Sequence, residues 1–280
     1  MKKNMKRRRI LDSIFTNILV NVLAFTWILP IIWIVLMSFS DQVGYISQTF
    51  FPTKFTLDNY KELFLETDFL IWIGNTMLIA ICNTVLTTLV TLLTAFCLSR
   101  FRFKLRKTYI NISLILGMFP GFMAMVAVFL ILNMFKLINS HWALLVYYVC
   151  GAGLGFFISK GYFDTIPTEI DEAALLDNAS HAKMFFKIFL PLSKPILIYT
   201  ALMAFMAPWA DYILAGLILT DSEVKTVAVG LYQWMENTKI NKYFTMFAAG
   251  SVVVAVPIVT LYIALQRYFI EGISSGAVKG

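Results

Sequence analysis

The chain has 280 residues, 59% of them hydrophobic and 14% charged, with a net charge of +7. A soluble core of this size cannot hide that much apolar surface, so the composition excludes an ordinary globular domain and points to a bilayer. Nucleic acid is not implied by the positive charge, because Lys and Arg flank apolar runs instead of forming a groove.

A helix crosses roughly 30 Å of hydrocarbon with about 20 mostly apolar residues. Stretches that meet or nearly meet this length run from Ser13 to Phe39, Leu70 to Leu98, Tyr109 to Asn133, Trp142 to Ser159, Ile196 to Thr220 and Phe244 to Tyr268. They exceed the ~10 residues of a barrel strand, and backbone groups in lipid must pair internally. The expected fold class is therefore an all-α integral membrane protein with six transmembrane helices. The first run follows Lys2, Lys3, Lys6, Arg7, Arg8 and Arg9, like the start of a secretory signal. A cleaved signal has an apolar region of only about 7 to 15 residues, so this longer run is read as a retained helix. The segment from Asp41 to Phe69 is acidic, whereas Arg100, Arg102, Lys104, Arg106 and Lys107 follow the second helix without an acid between them. Positive loops stay inside, which predicts cytoplasmic amino and carboxyl termini.

Within the helices, Gly151, Gly153 and Gly155 predict close backbone approach between neighbours, not a nucleotide site. Cys82, Cys97 and Cys150 lack metal-ligand spacing and read as small packing residues, and no metal site is predicted. His141 at a helix edge and His181 have no metal-ligand company and read as surface or interface residues. Pro208 and Pro257 lie inside the fifth and sixth helices, as kinks or as the ordinary proline content of membrane helices. Asp211 is the acid placed inside a membrane segment, where a charge costs at least ~2.5 kcal/mol. It has two readings, a role in a cavity and a structural hydrogen bond to a neighbouring helix.

Between the fourth and fifth apolar runs lies a polar-studded insert, EAALLDNASHAKMFFKIFLP, from Glu172 to Pro191. Thr168, with Glu169, Asp171 and Glu172 behind it, predicts a capped helix start, and the short helix ends near Asp177. Asn178 supplies a left-handed turn. Ser180 caps a second short helix whose Met184, Phe185, Ile188 and Phe189 share a face while Lys183 and Lys187 point away. Pro191 and Pro195 are expected to end it. A small helix carrying an acid suits a groove on a soluble partner, with Glu172 meeting an arginine there. An amphipathic loop lying on lipid headgroups is the other reading.

The spacing of Glu172, Ala173, Ala174, Asp177, Asn178, Ile188, Leu190 and Pro191 resembles the coupling motif of ABC importer permeases, with Asn178 where that family usually has Gly. Asn75-Thr76, the run from Ala95 to Phe101, and Pro208-Trp209-Ala210-Asp211 are similar to sugar-type members, with Ala210 replacing Asn. The end from Gln266 to Gly280 is similar to MalG-like maltose and maltodextrin permeases. The resemblance implies a type I ABC importer permease fold in the bacterial cytoplasmic membrane. Residues 1–69 would form the arm, first helix and exterior loop, 70–268 the core with a coupling helix at about 168–190, and 269–280 the tail.

The same resemblance implies a homologous MalF-like second permease, two copies of a cytoplasmic ABC ATPase and an extracytoplasmic sugar-binding protein as partners. Lipid would surround the chain. No cofactor would bind it, with ATP and Mg held by the ATPase subunits, and no G-x-x-x-x-G-K-[ST] loop occurs in the sequence. The resemblance further implies that Gly276, Lys279 and Gly280 reach the ATPase, and that Tyr232, Gln233 and Trp234 lie in the loop facing the binding protein. An ion-coupled secondary transporter would want more intramembrane acids, bases or histidines than Asp211. An integral membrane enzyme would need a catalytic cluster, and none is evident.

Overall fold

The computed structural model describes the backbone of residues 2–42, 51–236 and 240–277, and side chains at 13–42, 51–236 and 243–268. The regular elements among the described residues are helices, and the one β pairing there is an isolated bridge between Ser40 and Phe55. In chain order they are α1 Lys2–Ser38, α2 Asp58–Leu65, α3 Phe69–Arg100, α4 Arg106–Gly117, α5 Gly121–Met134, α6 His141–Ala152 and α7 Phe157–Asp164. They continue as α8 Glu169–Leu176, α9 His181–Leu192, α10 Lys194–Ala210, α11 Ile213–Ile218, α12 Val227–Trp234 and α13 Ile240–Ala277.

Four helical stretches, Ser13–Ser38, Phe69–Arg100, His141–Asp164 and Tyr243–Tyr268, are long and apolar enough to cross a membrane. Two further pairs, α4 with α5 and α9 with α10, pass the same test but are bent by 104° and 89°. The expected count of six is reached when each bent pair is one span.

Three expected helices are interrupted. The third breaks at Met118–Pro120, because Pro120 lacks an N–H and disfavours helical backbone at the residue before it. The fourth breaks between Ala152 and Phe157 and then runs on to Asp164. The close backbone approach expected of its glycines is not made at Gly151, where a Cβ would meet nothing within 4 Å among the described residues, and at Gly153 it is the Tyr109 hydroxyl that comes near, 3.4 Å from such a Cβ. The glycines open the helix instead, and the Gly153 carbonyl, released from the ladder, accepts from the Tyr109 hydroxyl. The fifth ends at Ala210, two residues after Pro208, with α11 as a separate short helix.

Two compact units are formed, residues 1–67 with 233–253, and residues 68–232 with 254–280. In the first, the apolar face of α1 is largely exposed, Trp27 at 78%. The end of α1 is tied down by Asn59, which donates to the carbonyls of Ser38 and Ser40 at 3.0 and 2.7 Å. Met37, Phe244 and Ala248 make its small core.

The second unit is built around α3. Asn83 donates to the Ala204 carbonyl of α10 at 2.7 Å and accepts from Thr87 at 2.6 Å, while Thr91 reaches the Ala152 carbonyl at 3.4 Å. Such interhelical bonds are worth about 1 kcal/mol each where lipid offers no competing partner. At the start of α3, Asn75 donates to the carbonyls of Glu223 and Lys225 at 2.8 and 3.0 Å, and Thr76 accepts from the Val227 N–H at 2.8 Å. His141 joins the same strap through the Val224 carbonyl at 2.9 Å. It is a structural hydrogen-bonding residue here.

Gly230 lets α12 approach α3, since a Cβ there would sit 2.1 Å from a ring atom of Trp72, which is 5% exposed and donates to the Ser222 carbonyl of the strap. Gly230→Ala is expected to destabilise by about 1 to 3 kcal/mol through overpacking, read as a lower melting temperature in detergent. Gly74→Ala, at an open helical position, is expected to leave it unchanged or raise it slightly.

Candidate functional site

The insert folds into an elbow made of α8, a tight turn and α9. Three acids, Glu169, Asp171 and Glu172, occupy the first turn of α8, where the positive end of the dipole favours them. Thr168 does not cap through its side chain as the sequence predicts. Its own backbone is already helical, at φ −70° and ψ −21°, so the helix is closed by its carbonyl, which accepts from Asp171 and Glu172 N–H at 3.0 and 3.1 Å.

The far end of α8 closes as a Schellman motif. Asn178 has φ 52°, the Ala179 N–H donates to the Ala174 carbonyl at 2.9 Å, and the Asn178 N–H to the Leu175 carbonyl at 3.0 Å. Ala174 and Ala179 then meet in one buried cluster, which is the apolar contact that this motif places across the turn. Ser180 starts α9 by accepting from the Lys183 N–H at 3.3 Å. Pro191 does not end α9, as the sequence predicts. The helix passes through a π-turn at Phe185–Phe189, in which the Leu190 N–H reaches back to the Phe185 carbonyl, and it stops only at Ser193. A wider turn is one way to fit a proline ring next to the preceding carbonyls.

The inner face of the elbow rests on the last turns of α3. Met184, Phe185 and Phe189 are buried while Lys183 and Lys187 are exposed, as the spacing predicts. Phe96 of α3 lies at the centre of this packing, with ring centroids 5.3 Å from Phe185, 4.9 Å from Phe189 and 6.5 Å from Phe163. His181 stands edge-on to Phe101 at 4.8 Å.

One charged side chain fastens the assembly. Arg100, the last residue of α3, has its Nε 3.2 Å from Asp171 Oδ2 of α8 and donates through Nη2 to the Ile166 carbonyl at 2.7 Å. Its guanidinium lies 4.8 Å from the centre of the Phe189 ring of α9. The side chains of Arg100 and Asp171 are only 9% and 16% exposed. The Nε–H is not aligned on the carboxylate, and Asp171 Oδ1 has no hydrogen-bond partner. Burial consequently pushes the Asp171 carboxyl above its ordinary range, Arg100 opposes the shift, and Glu172 adds to it.

The predicted site residues are thus gathered on one elbow, but on different faces. Glu172, Ala173, Asp177, Asn178 and Pro191 are exposed, Ile188 and Leu190 half-buried, and Ala174 buried. The outer face of α8 also presents Leu175 and Leu176 at 53% and 85% exposure. Neither leucine belongs to the sequence motif; their signal is an apolar pair on the face opposite Ala174. Arg100 is missed as well by a reading of charge alone, which sees a topology marker where the fold has an ion pair.

The other predicted positions lie apart from the elbow. Tyr232 is exposed and stacks on Tyr212 at 4.3 Å, Gln233 is half-buried, and Trp234 is buried and stacks on Tyr243 at 5.8 Å. Gly276 falls on α13, while Lys279 and Gly280 lie outside the described residues. Asp211 has the structural partners of its second reading: it accepts from Tyr148 at 2.8 Å and from the Leu214 and Ala215 N–H groups at 3.1 and 3.4 Å, capping α11. Tyr148 also lines a cavity of about 650 Å³ along α3, with Asn83, Thr87, Tyr147, Tyr199 and Thr200. Among the described residues no group of His, Cys, Asp and Glu is placed to hold a metal ion.

This architecture has known counterparts. The family of binding-protein-dependent transport system inner membrane components matches residues 87–275, and the chain belongs to it. It is 36% identical over 284 residues to the galactooligosaccharides transport system permease protein GanQ of Bacillus subtilis (strain 168), covering 100% of both chains. It is 37% identical to the maltodextrin transport system permease protein MdxG of the same organism, over 99% of this chain and 100% of that one. To the trehalose/maltose transport system permease protein MalG of Thermococcus litoralis it is 31% identical, over 98% and 99%. A chain from the crystal structure of a bacterial ABC transporter involved in the import of the acidic polysaccharide alginate shares the fold, with a TM-score of 0.80 at 23% identity over 92% of this chain and 96% of that chain. The chain is a multi-pass membrane component of a transport system and not an enzyme.

Removing Arg100 strands a buried carboxylate. Arg100→Ala is expected to destabilise by about 3 to 5 kcal/mol, the range for breaking a buried ion pair, read as a melting shift in detergent. Because the folded-state pKa of Asp171 is raised, its contribution is greatest at low pH and is lost as pH rises through that pKa. The Arg100→Ala deficit should therefore grow from acid to neutral pH, and adding Asp171→Asn should remove that growth.

The turn gives a second test. Asn178→Val is expected to cost about 1 to 2 kcal/mol at a left-handed position, whereas Asn178→Gly holds or raises the melting temperature.

Proposed function

We propose that this chain is the MalG-like membrane half of an ATP-driven importer of maltodextrin or a related oligosaccharide. The named substrates of its relatives, galactooligosaccharides, maltodextrin and trehalose or maltose, support that class. Its partners would be a homologous second permease, two copies of a cytoplasmic ATPase that hold ATP and Mg, and an extracytoplasmic sugar-binding protein. Both termini and the elbow would face the cytoplasm, following the basic arm and the basic loop after α3.

The observation that carries this reading is the two-faced elbow. Its inner side is locked to α3 by Arg100 and the phenylalanines, and its outer side presents Glu172 and Ala173 beside Leu175 and Leu176. An exposed acid next to large exposed apolar side chains suits a helix lying in the groove of a soluble partner. Closure of the ATPase dimer would push on α8, and Asp171 and Arg100 would pass the displacement to α3. That helix is continuous over 32 residues, about 48 Å at 1.5 Å per residue. About 25 Å from Arg100 along it stands Asn83, on the cavity wall. Movement of the elbow would thereby reshape half of a translocation pathway between inward and outward access. Tyr232, Gln233 and Trp234 would serve the binding-protein side, and Gly276, Lys279 and Gly280 would touch the ATPase.

Glu172→Lys tests the coupling. The variant is expected to insert in the membrane normally but to lose most maltodextrin uptake and substrate-stimulated ATP hydrolysis, and to bring less ATPase through purification in mild detergent. Truncating one partner of a buried interfacial charge pair costs about 2 to 5 kcal/mol, enough to lower assembly by a factor of 30 or more. Undiminished uptake by this variant would refute the assignment.

A further inference from the structure

We propose that the loop joining α3 to α4 is a binding site for the headgroup of an anionic phospholipid. Arg102, Phe103, Lys104, Arg106 and Lys107 line a concavity of about 490 Å³, without an acid among them. Arg106 is committed to the fold, donating from Nε to the Leu98 carbonyl at 2.7 Å. Among the described residues, Arg102, Lys104 and Lys107 have no side-chain hydrogen bond or ion pair. Cations held around one small hollow repel each other, and an anion in the hollow removes that repulsion.

Two independent features identify the anion as part of a lipid. The loop links the end of one span, Phe69–Arg100, to the beginning of the bent pair α4 and α5, which puts it at the level of the phosphates. Phe103 and Leu105, set between the cations, are 47% and 68% exposed. A soluble anion leaves these apolar side chains in water, whereas a phospholipid covers them with its upper acyl carbons and glycerol. The start of α4 adds donors, because the N–H groups of Lys107 and Thr108 have no acceptor among the described residues. Phosphate, cationic side chains and free helix N–H groups are complementary in both charge and hydrogen bonding. This assignment needs neither the sugar nor the ATPase, so it stands or falls separately from the coupling role of the elbow.

The test uses the full-length chain purified in a neutral detergent. Phosphatidylglycerol and phosphatidylcholine with the same acyl chains are titrated in, and bound lipid is counted by native mass spectrometry. The wild type is expected to take phosphatidylglycerol at least ten times more tightly than phosphatidylcholine, and added salt should narrow the difference. The combined variant Arg102→Gln, Lys104→Gln and Lys107→Gln should lose affinity for phosphatidylglycerol by on the order of 100-fold. Phe103→Ser with Leu105→Ser, which keeps every cation, should lose about tenfold.

Equal binding of the two lipids by the wild type would overturn the proposal without reliance on any variant. So would displacement of the lipid by millimolar inorganic phosphate, which would make the hollow a free-anion site. Displacement by the ATPase subunit would assign this face to a protein and would likewise overturn it.

Discussion

The contact between Arg100 and Asp171 is where the membrane part of this chain becomes mechanically continuous with the part outside it. Arg100 ends a span and Asp171, 71 positions later in sequence, lies in the first turn of a short helix. Three directions of contact converge on the one guanidinium: a carboxylate, a carbonyl and an aromatic face. A lysine ammonium has no planar face to lay over Phe189 while it also reaches the carboxylate and the carbonyl, so the geometry selects arginine. Burial makes the contact costly to form and more costly to break, since each partner removed leaves the other uncompensated. The elbow is therefore held by an ionic attachment in addition to its apolar packing. That property suits a part that must carry force.

Aromatic packing continues the joint beside the ion pair. Phe96 touches Phe101, Phe163, Phe185 and Phe189, so α3, α7 and α9 meet at one ring. Close-packed interiors resist compression, and displacement of one member moves the others. At the other end of α3, Trp72, Asn75 and Thr76 take up backbone groups of the 222–227 strap. The same rod is anchored at both ends, by an aromatic and ionic joint at one and by amide and hydroxyl bonds at the other.

Element type was legible in the sequence because lipid leaves so few choices: long apolar runs must be helices. The elbow was legible for a more local reason. Asn178 tolerates a positive φ and Ser180 accepts from an N–H three residues on, and neither depends on the rest of the fold. Breaks inside the spans were not legible from hydropathy, which is blind to direction and stays high through Gly117–Gly121 and Gly151–Gly155. The proline and glycines were visible, but whether such a residue kinks a helix, ends it or passes unnoticed depends on who accepts the freed backbone groups. Tyr109 lies 44 positions from the Gly153 carbonyl that it satisfies, and Tyr148 lies 63 from Asp211. Arg100 belongs to the same class: its charge is plain in the sequence, and its partner is set by tertiary packing alone.

Those breaks and the unbroken α3 divide the work of the molecule. In a hydrocarbon environment an interrupted helix survives only where protein groups re-satisfy its backbone, and here three of the breaks have an identifiable donor or acceptor. Tyr109 serves the Gly153 turn, Asp211 the start of α11, and the Phe189 and Leu190 carbonyls take the Ser193 N–H at 2.9 and 3.2 Å. Bonds of that kind, local and few, can exchange partners at low cost, so bending concentrates at these points. A 32-residue helix with a continuous ladder has no such point along its length. Under the proposed coupling, rotation imposed at the elbow would travel the whole of α3, carrying Asn83, Thr87 and Thr91 with it, while α6, α7 and α10 would flex around it at Gly153, Ser193 and Asp211. The cavity lies between the rigid member and the flexible ones, which is where a change in its shape demands the least rearrangement of buried backbone.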